Sequence, residues 1–105
     1  MIKHITADEV NNNLNNKDVL IIDVRTPGEF IKGAIQGSIN IPVTEIAEKI
    51  SSVTTNVDKI IYLYCLSGSR SEMAAEILTD LGYKNSYSMS SGLLMWRAKK
   101  FELKS

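Results

Sequence analysis

The chain carries one cysteine and one histidine in 105 residues, no excess of either charge, and no long apolar run. A lone cysteine cannot form an internal disulfide. At this length folding buries roughly two-thirds of the surface that an unfolded chain exposes, so neither disulfides nor a structural metal is needed. Twelve Lys and Arg balance twelve Asp and Glu to a formal net charge of +0, which removes the electrostatic footprint that nucleic acid or an anionic membrane would require. No segment approaches the roughly 18 apolar residues of a membrane span, and the opening MIKHITADEV has no basic stretch followed by an apolar one. These absences predict a soluble cytoplasmic protein with no nucleic-acid or membrane partner. In such a reducing compartment the thiol of Cys65 stays free, as a small core residue or as a reactive nucleophile.

What is present suffices for one core. Hydrophobic residues make up 44% of the chain, and the length is near the commonest for one domain, so a single domain over residues 1–105 is expected. Thr6/Glu9, Thr26/Glu29 and Ser69/Glu72 each have the spacing of a capping box, a hydroxyl with a carboxylate three residues on, and predict three helix starts. The first helix is expected over about 7–15, with Ile5 and Val10 as a hydrophobic staple. The second runs from Pro27 towards a stop at Gly33, and the third from about Arg70 to Gly82. Helical spacing also marks Ile46, Ile50 and Val53, and a last segment from Leu93 to Phe101. Between these lie VLIIDV (19–24) and IIYLYC (60–65), runs without alternation that suit strands buried on both faces. Weaker strands are expected at Ile2–Ile5, Ser38–Ile41 and Ser86–Met89. The Asn-rich patch Asn11–Asn16 reads as a polar helix end. Strands alternating with helices predict an α/β fold, a mostly parallel sheet of four to five strands flanked by helices on both faces.

Cys65 closes the second strong strand, and in open α/β sheets the functional crevice lies at the carboxyl ends of strands. CLSGSRS (65–71) then supplies a short loop of small residues, an arginine and a helix start. Inward-turned amides and a helix N-terminus form an anion cradle. Together with Arg70 they favour thiolate over thiol, and they would hold an anionic group attached to the sulfur. Gly68 fits where a positive φ or close approach is required.

Three segments resemble the rhodanese family. IIDVRTPGEFIKGAIQGSINIP (21–42) is similar to its Asp-Val-Arg, Glu-Phe, Gly-x-Ile-x-Gly and Asn-Ile-Pro hallmark. CLSGSR resembles its Cys-x-x-Gly-x-Arg loop, and SGLLMW (91–96) its late Gly-Gly-x-x-x-Trp. The resemblance implies that Cys65 accepts sulfur as a persulfide, that Leu66, Ser67, Gly68 and Ser69 cradle it, and that Arg70 contacts the substrate anion. Asp23, Arg25 and Glu29 match the first hallmark; Arg25 and Glu29 stand close enough in sequence to pair and fix the short helix, which assigns them structural support, with Asp23 towards the pocket. No cofactor or metal is implied. The chain departs at Ala34, where the family has His, and at Ser91, where it has Gly. Trp96 reads as core cover. His4, the only histidine, lies far from the loop in sequence, so no cysteine–histidine dyad is expected.

Two other readings differ in class. Related phosphatases and arsenate reductases use Cys-x5-Arg, whereas Cys65 to Arg70 is Cys-x4-Arg, a smaller ring better suited to sulfur than to phosphate. A non-catalytic rhodanese-like module is the other, because fold alone does not imply activity. The expectation is double displacement through Cys65, from thiosulfate or a persulfide, with Leu66 exposed towards such a partner, to a thiol or a thioredoxin-like acceptor.

Overall fold

The two strongest apolar runs become the middle of a sheet, and alternation along them explains why. In this computed structural model, which describes residues 2–105, the strands are β1 (Lys3–Ile5), β2 (Val19–Asp23), β3 (Ile39–Asn40), β4 (Ile60–Tyr64) and β5 (Asn85–Met89). They pair in the order β1-β5-β4-β2-β3, and every pair is parallel. Ile22, Ile61, Leu63 and Cys65 enter one core with the helices α3 (Ile46–Val53) and α4 (Ser69–Asp80). Ile21, Tyr62 and Tyr64 enter the other with α1 (Ala7–Asn12) and α5 (Gly92–Ala98). Ile61 and Leu63 are fully buried, each worth about 1.5–3 kcal/mol relative to exposure. Burial on both faces therefore fixes β4 at the centre, and the same two-residue alternation aims the Cys65 side chain at the α4 side.

Two of the three capping boxes form. Thr6 and Glu9 cap α1 reciprocally, and Thr26 and Glu29 cap α2 (Pro27–Ile31), with Pro27 at the first helical position. The third does not: Gly68, at φ 111°, occupies the N-cap of α4 with no side-chain cap, and Ser69 is already helical. The loop needs a left-handed residue there, which shifts the cap one place and frees Glu72 to bond His4.

α1 ends at Asn12 rather than near residue 15. Asn13 Nδ2 donates to Glu9 O at 2.8 Å and Asn16 Nδ2 to Asn13 Oδ1 at 3.2 Å, local bonds that compete with helix continuation. α5 stops at Ala98, and Lys100 turns at φ 60°. That reversal packs Phe101 edge-on against the buried Trp96, whose Nε1 donates to Glu102 O at 3.0 Å. Among the described residues no helix is long and apolar enough to cross a membrane.

Candidate active site

β4 ends at Tyr64, so Cys65 stands one residue beyond the strand, at the carboxyl edge of the sheet. Leu93 N donates to Cys65 O at 3.0 Å and Leu94 N to Leu66 O at 3.1 Å, so the first turn of α5 clamps the start of the loop. The approach is close enough that a Cβ on Gly92 would lie 2.5 Å from both carbonyl oxygens. Glycine at this position is a packing requirement that the late motif conceals.

The loop folds back on the sulfur. Gly68 N donates to Cys65 Sγ at 3.1 Å, and the Cys65 thiol points at Ser71 Oγ at 3.7 Å. Ser71 Oγ also donates to Gly68 O at 3.0 Å and lies 2.7 Å from Ser88 Oγ. Ser88 can therefore supply a proton to Ser71 when the Ser71 hydroxyl turns towards a thiolate. Ser69, Arg70 and Ser71 precede the first helical bond of this turn, Glu72 N to Gly68 O, so their amides have no partner within the helix. Burial pushes the Cys65 thiol pKa up. Hydrogen bonds from the Ser71 amide and hydroxyl and from the Gly68 and Ser67 amides outweigh it, and the thiol stands below its ordinary value. The thiolate is stabilised by amides and one hydroxyl. Ser71 and Ser88 were missed from sequence; Ser71 had a visible signal, its place in the first turn after the cysteine loop, whereas Ser88 needed the sheet register.

The charged residues are partnered differently from the expectation. Arg25 does not pair with Glu29. Its Nε donates to Asp23 Oδ1 and Oδ2, both at 3.0 Å, and its Nη2 to Asp23 Oδ2 at 2.7 Å and to Gly33 O at 2.7 Å. Asp23 is fully buried and grips Arg25 instead of lining a pocket. The two side chains lie close to the backbone that leaves β2, where a buried guanidinium finds a carboxylate and a carbonyl. Glu29 pairs with Arg70 instead, Nη1 to Oε1 at 2.7 Å and Nη2 to Oε2 at 3.1 Å, which ties α2 to the first turn of α4. Leu66 is half-buried and packed on the α1/α5 core rather than projecting to solvent.

A polar cleft of about 360 Å³ opens beside the loop, lined by five serines, Gly68, His4 and Glu72. His4 pairs in register with Ser88 across β1 and β5, which brings it to this cleft despite its distance in sequence. Its Nε2 bonds Glu72 Oε2 at 2.7 Å, so it faces a carboxylate and not the cysteine. Ala34 makes a backbone bridge with Lys104, and Ser91 sits at φ 61°. Among the described residues no group of three or more His, Cys, Asp or Glu is placed to hold a metal ion.

Residues 6–99 match the model of the rhodanese-like domain. The chain is 31% identical over 97 residues to a sulfurtransferase of Allochromatium vinosum, covering 91% of this chain and 89% of that one. It is also 31% identical to a tRNA uridine(34) hydroxylase of Photorhabdus laumondii, covering 95% of this chain but only 30% of the larger protein. A rhodanese-related crystal structure from Thermoplasma volcanium superposes with a TM-score of 0.84 at 33% identity, with 97% of each chain covered.

Proposed function

The chain belongs to the rhodanese-like domain family, and on that premise we propose that it is a cytoplasmic sulfurtransferase that carries sulfane sulfur as a Cys65 persulfide. The observation that carries the reading is the sulfur of Cys65 held by the Gly68 amide at 3.1 Å, inside a loop whose further amides have no helical partner. A relative named as a sulfurtransferase, matched over most of both chains, supports it.

The Cys65 thiolate attacks the outer sulfur of a donor, either thiosulfate or a persulfide. A sulfur–sulfur bond forms at Cys65, the donor's own bond to that sulfur breaks, and the leaving group departs with the electron pair. The terminal sulfur of Cys65–S–S⁻ carries negative charge, which the amides at the start of α4 stabilise. A thiolate acceptor, from a small thiol or a thioredoxin-like protein, then attacks that terminal sulfur and restores the Cys65 thiolate. Glu29 and Arg70 brace the loop, and the Asp23–Arg25 pair holds the neighbouring strand end.

Intact-protein mass after exposure to thiosulfate and, separately, to a small-molecule persulfide tests this reading. The expected result is a gain of one sulfur atom, removed by a thiol and absent in Cys65→Ser. No gain with either donor, or an equal gain in Cys65→Ser, overturns it.

A further inference from the structure

The loop owns one guanidinium, and the structure spends it on Glu29. Both nitrogens of Arg70 that make the contact face the two carboxylate oxygens, at 2.7 and 3.1 Å. This two-point geometry is the same one by which arginine would grip an oxyanion substrate. The carboxylate is also fixed from its own helix, because Glu29 Oε1 accepts from Thr26 N and from Thr26 Oγ1, each at 3.1 Å. Arg70 cannot turn to a substrate without breaking two charge-assisted bonds and leaving the Glu29 carboxylate with the two Thr26 donors alone. The cleft beside the loop holds no lysine or arginine to replace Arg70, and its one basic side chain, His4, is already bonded to the carboxylate of Glu72. Hydrogen bonding from Arg70, with Thr26 adding to it, brings the Glu29 carboxyl down to about 2, so the pair is ionic throughout the neutral range.

We infer that Glu29 is a specificity-determining residue: by neutralising Arg70 it selects organic sulfane donors with at most one negative charge at the reacting end, and disfavours the thiosulfate dianion. This rests on the sulfurtransferase reading. The chemistry is the same for both donor classes. With thiosulfate, Cys65–S⁻ takes the outer sulfur and expels sulfite. With methanethiosulfonate, which carries one negative charge instead of two, it takes the outer sulfur and expels methanesulfinate. Each step forms one sulfur–sulfur bond, breaks one sulfur–sulfur bond, and conserves charge.

The test measures kcat/KM for thiosulfate and for methanethiosulfonate, with cyanide as acceptor at fixed ionic strength, in the parent chain, Glu29→Gln, Arg70→Gln and the double variant. Freeing Arg70 changes the reactivity of Cys65 towards both donors alike, so the ratio of the two constants isolates the charge discrimination. Glu29→Gln is expected to raise the thiosulfate-to-methanethiosulfonate ratio about tenfold, a typical consequence of one added charge near a solvated site. Arg70→Gln is expected to lower it, and the double variant to return it towards the parent value. If Glu29→Gln does not fold, the direction of the Arg70→Gln change decides. Ratios unmoved in the single variants while both donors still load Cys65 overturn the role of Glu29 and leave the persulfide reading standing. Failure of both donors to load the parent chain overturns the persulfide reading itself, and this inference with it.

Discussion

Arg25 follows β2 and Arg70 opens the helix after β4, and each grips one carboxylate through two nitrogens, yet their surroundings make them different devices. Arg25 and Asp23 are 3% and 0% exposed, whereas Arg70 and Glu29 are 32% and 33% exposed. Burial makes the first pair costly to break, since removing one partner strands a charge in the core, at about 3–5 kcal/mol. Water screens the second, and pairs of that kind contribute about 1 kcal/mol or less. The first pair is therefore architecture, and the second is soft enough to be tuned by substitution without endangering the fold.

The sharpest way to break this contrast is to delete each carboxylate and measure urea unfolding. Asp23→Ala is expected to lose about 3–5 kcal/mol and Glu29→Gln less than about 1 kcal/mol at neutral pH. Equal losses would erase the distinction. Acid adds a second readout. The folded-state pKa of Glu29 lies at about 2, below its ordinary 4.5, so its contribution is fully present above pH 4.5 and fades as pH falls towards 2. The gap in stability between the parent chain and Glu29→Gln should close over that window.

A smaller effect separates the two strand ends by how they handle charge. At the end of β2 a carboxylate balances a guanidinium; after β4 a thiolate is balanced by amides and the hydroxyl of Ser71. Ser71→Ala removes that hydroxyl, and the Cys65 thiol pKa is expected to move upward, followed by thiolate absorbance against pH. A hydrogen bond to a charged group is worth roughly 1.5–3 kcal/mol, so alkylation of Cys65 near neutral pH should slow about tenfold. An unchanged titration would assign thiolate stabilisation to the amides alone.

Sequence patterning carried the strands well and the side-chain partners poorly. VLIID and IIYLY declare themselves because burial on both faces demands unbroken apolar runs, and the rhodanese-like motifs resembled a family the chain proves to belong to. The Arg25–Glu29 expectation failed because separation along the chain says nothing of which way each side chain turns at a strand end. Asp23 and Arg25 share a buried pocket, while Glu29 faces across to α4. His4 reached the cleft through the pairing of β1 with β5, a contact between the two ends of the chain that local pattern cannot reveal. The Ser69/Glu72 box failed because Gly68 took the cap, a choice made by the curvature of the cysteine loop.

The same loop accounts for the smallest effect. Ser91 departs from the glycine of the family resemblance, and it adopts φ 61°, a region that residues with a Cβ enter at a cost of roughly 1–2 kcal/mol. The turn cannot relax freely, because the next residue, Gly92, must bring the α5 backbone against the carbonyls of Cys65 and Leu66. Ser91→Gly should relieve the strain, while the greater freedom of glycine in the unfolded chain takes back roughly 0.5–1 kcal/mol. The net expectation is a gain of about 0.5 kcal/mol in urea unfolding, with persulfide loading unchanged because no hydrogen bond to the sulfur is touched. A loss of stability would mean that the Ser91 side chain contributes more at the cleft than its backbone strain costs, and would make the departure from glycine a feature of this site.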